Sequence, residues 1–532
     1  MKIVLAEKVS PATLAVFQQE AGWEVITHDQ IKNGLAAELA DADALIVRSA
    51  VQVDDSLLES APKVRVIGRA GVGVDNIDAD AATRRGMVVM NTPGANAVAV
   101  AELTIGLMLA LGRQLPKANI GMHAGKWEKK ALSGSELRGK TLGILGLGRV
   151  GLEVAKRARV FGMELIGHDP FVSAAIAREA GIKLVSVEEL FKAADYLTLH
   201  VGLTPQTAGI VNEASIATMK EGVRIVNCAR GELIVDEALL DGLTSGKIAG
   251  AALDVFREEP PKNSPFTAFE NVILTPHIAG STAEAQEAVG VQIAMQVREY
   301  LKYGVVQNAV NLPSLSHEEY QEVAPYLEMA ERLGAFLGHS LQGNIESIGL
   351  AYSGRLAEAK TELVRNAAIQ GILAQSEVVN RINAASVAAE RGIRVHEEKN
   401  NTAIGGAGSV LKITLHTNIA EATASATVLH GNSPRLLNLD GIDIEAPLQG
   451  TLVLLRNLDV PGVIGRVGTI LGEHQVNIAN FALGRSVRSK HVPQGSALAV
   501  IQVDGNVTAK VLEALRAADG IVQASIATLS GA

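Results

Sequence analysis

The chain has one cysteine, Cys228. An internal disulfide is therefore impossible, and an unpaired thiol fits a reducing cytosol. Aromatic residues are also scarce, at 3% of 532 positions, so the cores must be aliphatic. Positive charge is in deficit. Against 57 Asp and Glu there are 48 Lys and Arg, for a formal net charge of −9. That balance argues against nucleic acid or an anionic membrane as the main partner. An anionic ligand would need a local cluster of arginines. Apolar runs are too short, or too broken by glycine and charge, to span a bilayer. The opening MKIVLAEKVS reads as a strand followed by polar residues, without the apolar core and cleavage site of a signal peptide. The expectation is a soluble cytoplasmic protein of about three or four domains.

Glycine, by contrast, is abundant, with 52 residues. One run of it stands out. Thr141–Gly151, TLGILGLGRVG, is a short apolar strand entering Gly146-Leu147-Gly148-Arg149-Val150-Gly151. A G-x-G-x-x-G between strand and helix is the dinucleotide-binding fingerprint. Gly146 serves the tight turn, Gly148 lets the backbone approach a pyrophosphate, and Gly151 lets the helix pack on the strand. The helix N-terminus offers free N–H groups and partial positive charge. A second strand, Glu164–His168, ends in Asp169. A carboxylate there can accept from the adenosine ribose hydroxyls and repel a 2′-phosphate. The pattern calls for NAD.

Before the fingerprint, short apolar strands alternate with helices: Ile3–Ala6, Glu24–Thr27, Ala44–Val47, Val66–Ile67 and Val88–Met90. That alternation predicts a parallel sheet. Two strands lead into arginines, Arg48 and Arg69, at the carboxyl edge where such folds bind ligands. The stretch Gly68–Asp75 has little side-chain bulk, so its backbone N–H groups could also hold an anion. Ala97–Arg113 reads as a long buried helix. Ala124–Gly139 reads as a solvated loop with Trp127 as its anchor. From Gly139 to Ile278 the alternation resumes as a second doubly wound sheet, with Asn212 and Asp236 as helix N-caps. Thr282–Tyr303 is predicted to return to the first sheet, which makes that domain discontinuous and places the site in a cleft.

Three places put reactive residues just past strand ends: Arg230 in VNCARGELIVDEALL, Glu259 in ALDVFREEPP and His277 in VILTPHIAGST. Successive parallel strands end on the same edge, so the three can converge beside a nicotinamide ring. Arginine can grip an α-carboxylate in bidentate fashion. Histidine can take a hydroxyl proton as hydride leaves, and a carboxylate beside it orients the ring and stabilises the imidazolium. Spacing alone leaves Glu258 open as an alternative to Glu259. Asp254 can bind the nicotinamide end.

With these motifs the chain resembles the D-isomer-specific 2-hydroxyacid dehydrogenases over about residues 1–311. RAGVGVDNID, MNTPGANAVAVAEL and GKWEKK are similar to the long-form phosphoglycerate dehydrogenase branch of that family. The resemblance implies NAD-dependent oxidation of 3-phosphoglycerate, the first step of L-serine biosynthesis, in a homotetramer. It implies Arg230 as substrate binder, Glu259 and His277 as an acid/base relay, and Arg48, Arg69, Arg230 and His277 on the substrate. It puts Gly146, Gly148, Arg149, Val150, Gly151, Asp169, Cys228, Ala229, Arg230, Asp254, His277 and Gly280 on the cofactor. Val72 and Val201 stand where threonine is common, so contacts there must be backbone or apolar. Other 2-hydroxy acids, such as glyoxylate/glycerate or 2-hydroxyglutarate, and a non-catalytic NAD-sensing role remain open alternatives.

The rest of the chain changes character. Glu318–Leu337 and Glu358–Asn383 look helical, and Ser409–His416 and Glu421–Leu429 look like strands. His396-Glu397-Glu398 reads as a solvated turn rather than a metal site, and no metal is called for. Residues 450–532 read as βαββαβ, a ferredoxin-like sandwich, with a loop at Arg485–Gln494. The resemblance makes 312–449 an intervening domain and 450–532 an ACT domain. It also implies L-serine as feedback inhibitor at an interface between such domains, with Asp459 and Asn477 as contacts. The domains expected are 1–98 with 289–311, 99–288, 312–449 and 450–532. The fold class is α/β, two Rossmann-like domains followed by an α+β domain and the ferredoxin-like one.

Overall fold

A computed structural model describes all residues except 314, 316, 375–378, 403–407, 430–431, 486–494 and 530–532. The described residues form four sheets. The first is wholly parallel and five-stranded: β1 (Lys2–Leu5), β2 (Glu24–Ile26), β3 (Ala44–Val47), β4 (Val66–Arg69) and β5 (Val88–Met90), in the order β2-β1-β3-β4-β5. β3 and β5 are buried along their whole length, as strands covered on both faces must be.

The second sheet is also parallel, with seven strands: β6 (Thr141–Leu145), β7 (Glu164–His168), β8 (Lys183–Leu184), β9 (Tyr196–Leu199), β10 (Val223–Asn227), β11 (Ile248–Leu253) and β12 (Val272–Leu274). Their order, β12-β11-β10-β9-β6-β7-β8, reverses between β6 and β9. That switch point is where doubly wound sheets open a crevice for ligand. The helix Ala97–Arg113 has the predicted bounds, with ten buried residues. Asn212 caps its helix by accepting from the Ser215 N–H. Asp236 does not cap; Val235 holds that position and Asp236 is the first helical residue. A carboxylate in the first turn still complements the helix dipole.

The helix Ala283–Tyr303, capped by Thr282, does return to the first sheet. Ile293 and Val297 lie directly on β4: a Cβ added to Gly68 would come within 2.7 Å of the Ile293 side chain. The helix thus packs on the strand that carries Arg69. Trp127 is no anchor in the isolated chain, since it is 80% exposed. Ile120 and Met122, on the helix before it, are also exposed.

The third sheet is mixed: β13 (Ile345–Gly354), β14 (Arg394–Asn400), β15 (Ser409–Thr417), β16 (Glu421–Leu429), β17 (Ser433–Leu439) and β18 (Ile442–Pro447). β14 is its parallel edge. His396-Glu397-Glu398 therefore lies in an edge strand, not a turn. Glu397 accepts from the Tyr352 hydroxyl at 2.7 Å and from Arg365 at 3.1 Å. The helix expected over Glu358–Asn383 stops early, as Thr361–Ile372, and a separate helix, Ala384–Glu390, begins just past the expected end. Just before the second helix, the Asn380 side chain accepts from the Ile382 and Asn383 N–H groups. The same region grips the first domain, because Asn380 and Asn383 donate to the Gly86 and Arg84 carbonyls.

The fourth sheet holds β19 (Gly450–Leu458), β20 (Asn477–Arg485), β21 (Ser496–Asp504) and β22 (Ile521–Leu529), in the order β20-β21-β19-β22 expected of βαββαβ. Most of the loop read at Arg485–Gln494 lies outside the described residues, and Arg485 itself ends β20. One face of this sheet carries two helices. The other packs on the helix His317–Ser340, so Leu452, Leu454 and Val500 share a core with the third sheet. Among the described residues no single helix is long and apolar enough to cross a membrane.

Candidate active site

The three fingerprint glycines divide their work. Gly146 has φ of +94°, a conformation L side chains resist. A Cβ on Gly151 would lie 2.1 Å from the Gly146 carbonyl oxygen, so the helix Arg149–Val160 can leave the turn only with glycine there. Gly148 differs. It is the N-cap, and a Cβ on it would meet no atom within 4 Å. The first and third glycines serve the fold, and the second keeps open the approach to the helix N-terminus. Asp169 is half-buried after β7. It accepts from the Leu147 N–H and the Phe171 N–H, each at 2.8 Å, which joins the glycine turn to the neighbouring strand. Amide donors, an unfilled approach and a carboxylate one strand away fit a dinucleotide.

The other expected cofactor positions differ in what they expose. Val150 and Ala229 are half-buried against the two cores of this domain. The Cys228 thiol is buried, and desolvation pushes it up to about 12, with Asp254 adding to the rise and a Thr104 hydrogen bond opposing it. A Cβ on Gly280 would touch Asn96, 2.9 Å from Nδ2. The Arg149 guanidinium reaches across the cleft to the Pro93 carbonyl, its Cδ resting on Gly94.

Arg230, Glu259 and His277 follow β10, β11 and β12, whose parallel pairing ends them on one edge. His277 Nδ1 lies 2.6 Å from Glu259 Oε2. Glu259 Oε1 accepts from the Phe256 N–H at 3.0 Å, which fixes the carboxylate. Glu258 turns away to Lys262 at 3.2 Å. Of the two adjacent acids, therefore, only Glu259 reaches the histidine. The pairing uses Nδ1 and leaves Nε2 for a substrate hydroxyl.

Asp254 has a part that spacing did not suggest. It is fully buried, and its carboxylate accepts from the Thr275 hydroxyl at 2.6 Å, the Ile278 N–H at 2.9 Å and the Ala279 N–H at 2.8 Å. Its backbone carbonyl takes the His277 N–H at 2.9 Å. The loop carrying His277 is thus wrapped around one buried carboxylate, which holds His277 at φ of +53°. Such backbone strain persists only where surrounding bonds over-determine it. Thr275 was missed because nothing local in LTPH marks it as a donor to a residue on another strand.

Across the cleft, the first sheet supplies Arg48 and Arg69. Arg48 is half-buried; its N–H donates to Glu7 Oε1 at 2.8 Å and its Nη1 to the Lys8 carbonyl at 3.3 Å. Arg69 folds over Gly71, where a Cβ would lie 1.6 Å from Nη1. Its Nε is buried with no partner among the described residues. Burial and the nearby Arg230 hold its guanidinium below the usual range, while Asp75 and Glu7 oppose that and Arg48 adds to it. Arg230 spans the two sides: Nη1 donates to the Ala229 carbonyl at 2.7 Å and Nη2 lies 3.1 Å from Asp75 Oδ2. Three arginines on one cleft are the local positive cluster that a chain of net charge −9 needs to hold an anion.

Asp459 and Asn477 are not brought together within one chain. β19 and β20 both run antiparallel to β21, with Leu458 opposite Ser496 and Asn477 opposite Asp504. The two residues therefore lie at opposite ends of the sheet. Asp459 is 3.4 Å from Arg485, and Asn477 donates to Asp504 at 2.9 Å.

The fold and this site define an NAD-binding oxidoreductase of the 2-hydroxyacid dehydrogenase class. Residues 105–279 match the model of the D-isomer specific 2-hydroxyacid dehydrogenase NAD binding domain. Residues 322–440 match the D-3-phosphoglycerate dehydrogenase intervening domain, and 451–520 the ACT domain. A D-3-phosphoglycerate dehydrogenase from Methanocaldococcus jannaschii is 40% identical over 99% of this chain and 100% of its own. One from Bacillus subtilis is 37% identical, covering 92% and 93%. Among solved structures, D-lactate dehydrogenase from Aquifex aeolicus with NAD and lactic acid is 26% identical at a TM-score of 0.52, covering 59% of this chain and all of that one. The chain belongs to the D-3-phosphoglycerate dehydrogenase family.

Proposed function

We propose that the protein oxidises 3-phosphoglycerate to 3-phosphohydroxypyruvate with NAD, the first step of L-serine biosynthesis. The observation that supports this reading is the hydrogen-bonded His277–Glu259 pair on the same sheet edge as Arg230, whose charge reaches Arg69, near Arg48, across the cleft. Arg230 grips the α-carboxylate and sets the C2 hydroxyl against His277. His277 Nε2 takes the hydroxyl proton, and Glu259 balances the charge that forms on the ring. NAD, held along the Gly146–Gly151 turn, supplies the acceptor for the C2 hydride. Arg48 and Arg69 hold the phosphate, which no unphosphorylated acid could offer them. The ring of His277 is kept in place by the Asp254 hub, so the proton acceptor is pre-positioned before substrate arrives.

The test is a steady-state assay of NADH formation and consumption over a panel of 2-hydroxy and 2-keto acids. The phosphorylated pair is expected to be best by kcat/KM. Equal rates with glycerate, glyoxylate or 2-hydroxyglutarate would overturn the substrate assignment, and full activity in His277→Ala would overturn the mechanism.

The same reading extends to control and assembly. L-serine binds where two ACT domains meet, with Asp459 of one copy accepting from the ammonium and Asn477 of another donating to the carboxylate. Their separation within one chain supports a site shared between copies. The exposed Ile120, Met122 and Trp127 support burial between subunits, as in the homotetramer expected. The domains divide as 1–98 with 289–311, 99–288, 312–449 and 450–532, in a cytoplasmic enzyme.

A further inference from the structure

Asp75 is the one charged side chain in the turn Gly71–Asp75. Its Oδ2 lies 3.1 Å from Arg230 Nη2, on the far side of the cleft. The side chain is 72% exposed, against 28% for Arg230, so the acid reaches in from solvent to a largely enclosed guanidinium. Gly73 is built around the pair. A Cβ there would lie 2.2 Å from Arg230 Nη2 and 2.7 Å from Asp75 Oδ2. Any larger residue at 73 would push the two charges apart. Asp75 also offsets the repulsion between Arg69 and Arg230.

We propose that Asp75 is a resident surrogate for the substrate's carboxylate and so a specificity-determining residue. It occupies Arg230 Nη2, the edge a bidentate carboxylate requires. An incoming acid displaces it into water, which its exposure makes easy. The inference rests on the reading of Arg230 as carboxylate binder. Its consequence is selectivity. A cluster of three arginines would otherwise collect any small anion. With Asp75 in place, a simple anion must break the ion pair for one contact. A substrate that also carries phosphate regains the loss at Arg48 and Arg69.

The experiment compares wild type, Asp75→Asn and Asp75→Glu, each alone and with Arg230→Ala, by initial rates with 3-phosphoglycerate and by inhibition with sulfate. Removing one negative charge from a partly exposed site should lower KM and the sulfate inhibition constant by about three- to tenfold. The effect on sulfate should be at least as large as that on substrate, with kcat within about twofold because the displaced acid takes no part in the chemistry. Asp75→Glu keeps the charge and should keep a KM near wild type. In the Arg230→Ala background, Asp75→Asn should lower KM no further. An unchanged or raised KM in Asp75→Asn, with Arg230→Ala still crippled, overturns the surrogate role alone. If Arg230→Ala keeps full kcat/KM, the reading of Arg230 itself falls. Thermal melts of each variant separate these outcomes from loss of fold.

Discussion

Gly148 and Gly151 stand three residues apart in one motif, yet alanine should act oppositely at the two. At Gly148 the backbone has φ of −68° and ψ of −166°, which alanine adopts freely, and the added Cβ meets nothing within 4 Å. Reduced chain entropy in the unfolded state favours alanine by about 0.4–1 kcal/mol. The poorer N-cap opposes it by a similar amount, roughly 0.5–1 kcal/mol. The melting temperature should therefore hold within a few degrees. The methyl group fills the approach to the helix N-terminus, however. Loss of one hydrogen bond to a charged phosphate costs about 1.5–3 kcal/mol, which weakens NADH binding by roughly ten- to more than a hundredfold. At Gly151 the Cβ lies 2.1 Å from a backbone oxygen that cannot swing away. Overpacking against backbone costs about 1–3 kcal/mol or more, so Gly151→Ala should melt early whether or not cofactor is present. NADH fluorescence titration and thermal melts on the two variants read both quantities. Wild-type NADH affinity in Gly148→Ala, or an equal loss of melting temperature in both, would refute the division of labour.

Thr275→Val keeps the shape but removes the donor to Asp254. Taking one of its three donors from that buried carboxylate should cut kcat by about tenfold with little change in the KM for NAD, and Thr275→Ser should restore most of it; equal kcat in all three would mean the hub does not position His277. Burial pushes the His200 imidazole down to about 3, beside its 2.9 Å contact with Thr198 Oγ1. An unfolded histidine takes up its proton near pH 6.5, about 3–4 units earlier, so below that pH the unfolded state binds the extra proton and stability falls as pH drops towards 3. In denaturant titrations the stability gap between wild type and His200→Asn should narrow as pH is lowered from about 6.5 to 4.5; a constant gap would refute a ring kept neutral by desolvation in the half-buried site. Millimolar L-serine should inhibit wild type and bind by calorimetry, and Asn477→Ala should lose both; no binding to wild type would remove serine as effector.

Several features were legible because their causes are local. A glycine run between an apolar strand and a helix needs only bond geometry to be read. The same holds for the N-cap at Asn212 and the nearly all-apolar run of Ala97–Arg113, whose bounds agree with the structure. Arg230, Glu259 and His277 could be placed on one edge from the sequence because parallel strands must end together, and the His277–Glu259 contact agrees with that placement. Trp127 was misread, because an aromatic side chain in a polar segment carries no local sign of whether its own chain covers it. The segment His396–Glu398 was misread for a similar reason: an exposed edge strand can be as polar as a turn.

By itself the sequence determined the two parallel sheets, the cofactor turn and the βαββαβ order of residues 450–532. These follow from periodicity and from backbone permissions, which act over a few residues. Only the tertiary structure decided that Glu259 rather than Glu258 meets His277, since adjacent residues of one loop point in different directions. It alone set Asp254 inside the Thr275–Ala279 loop and Asp75 on Arg230 across the cleft. It also parted Asp459 from Asn477 by the length of a strand. Each of these depends on where distant segments pack. Hydrogen bonds and ion pairs act over about 3–4 Å, a distance that spacing along the chain does not encode.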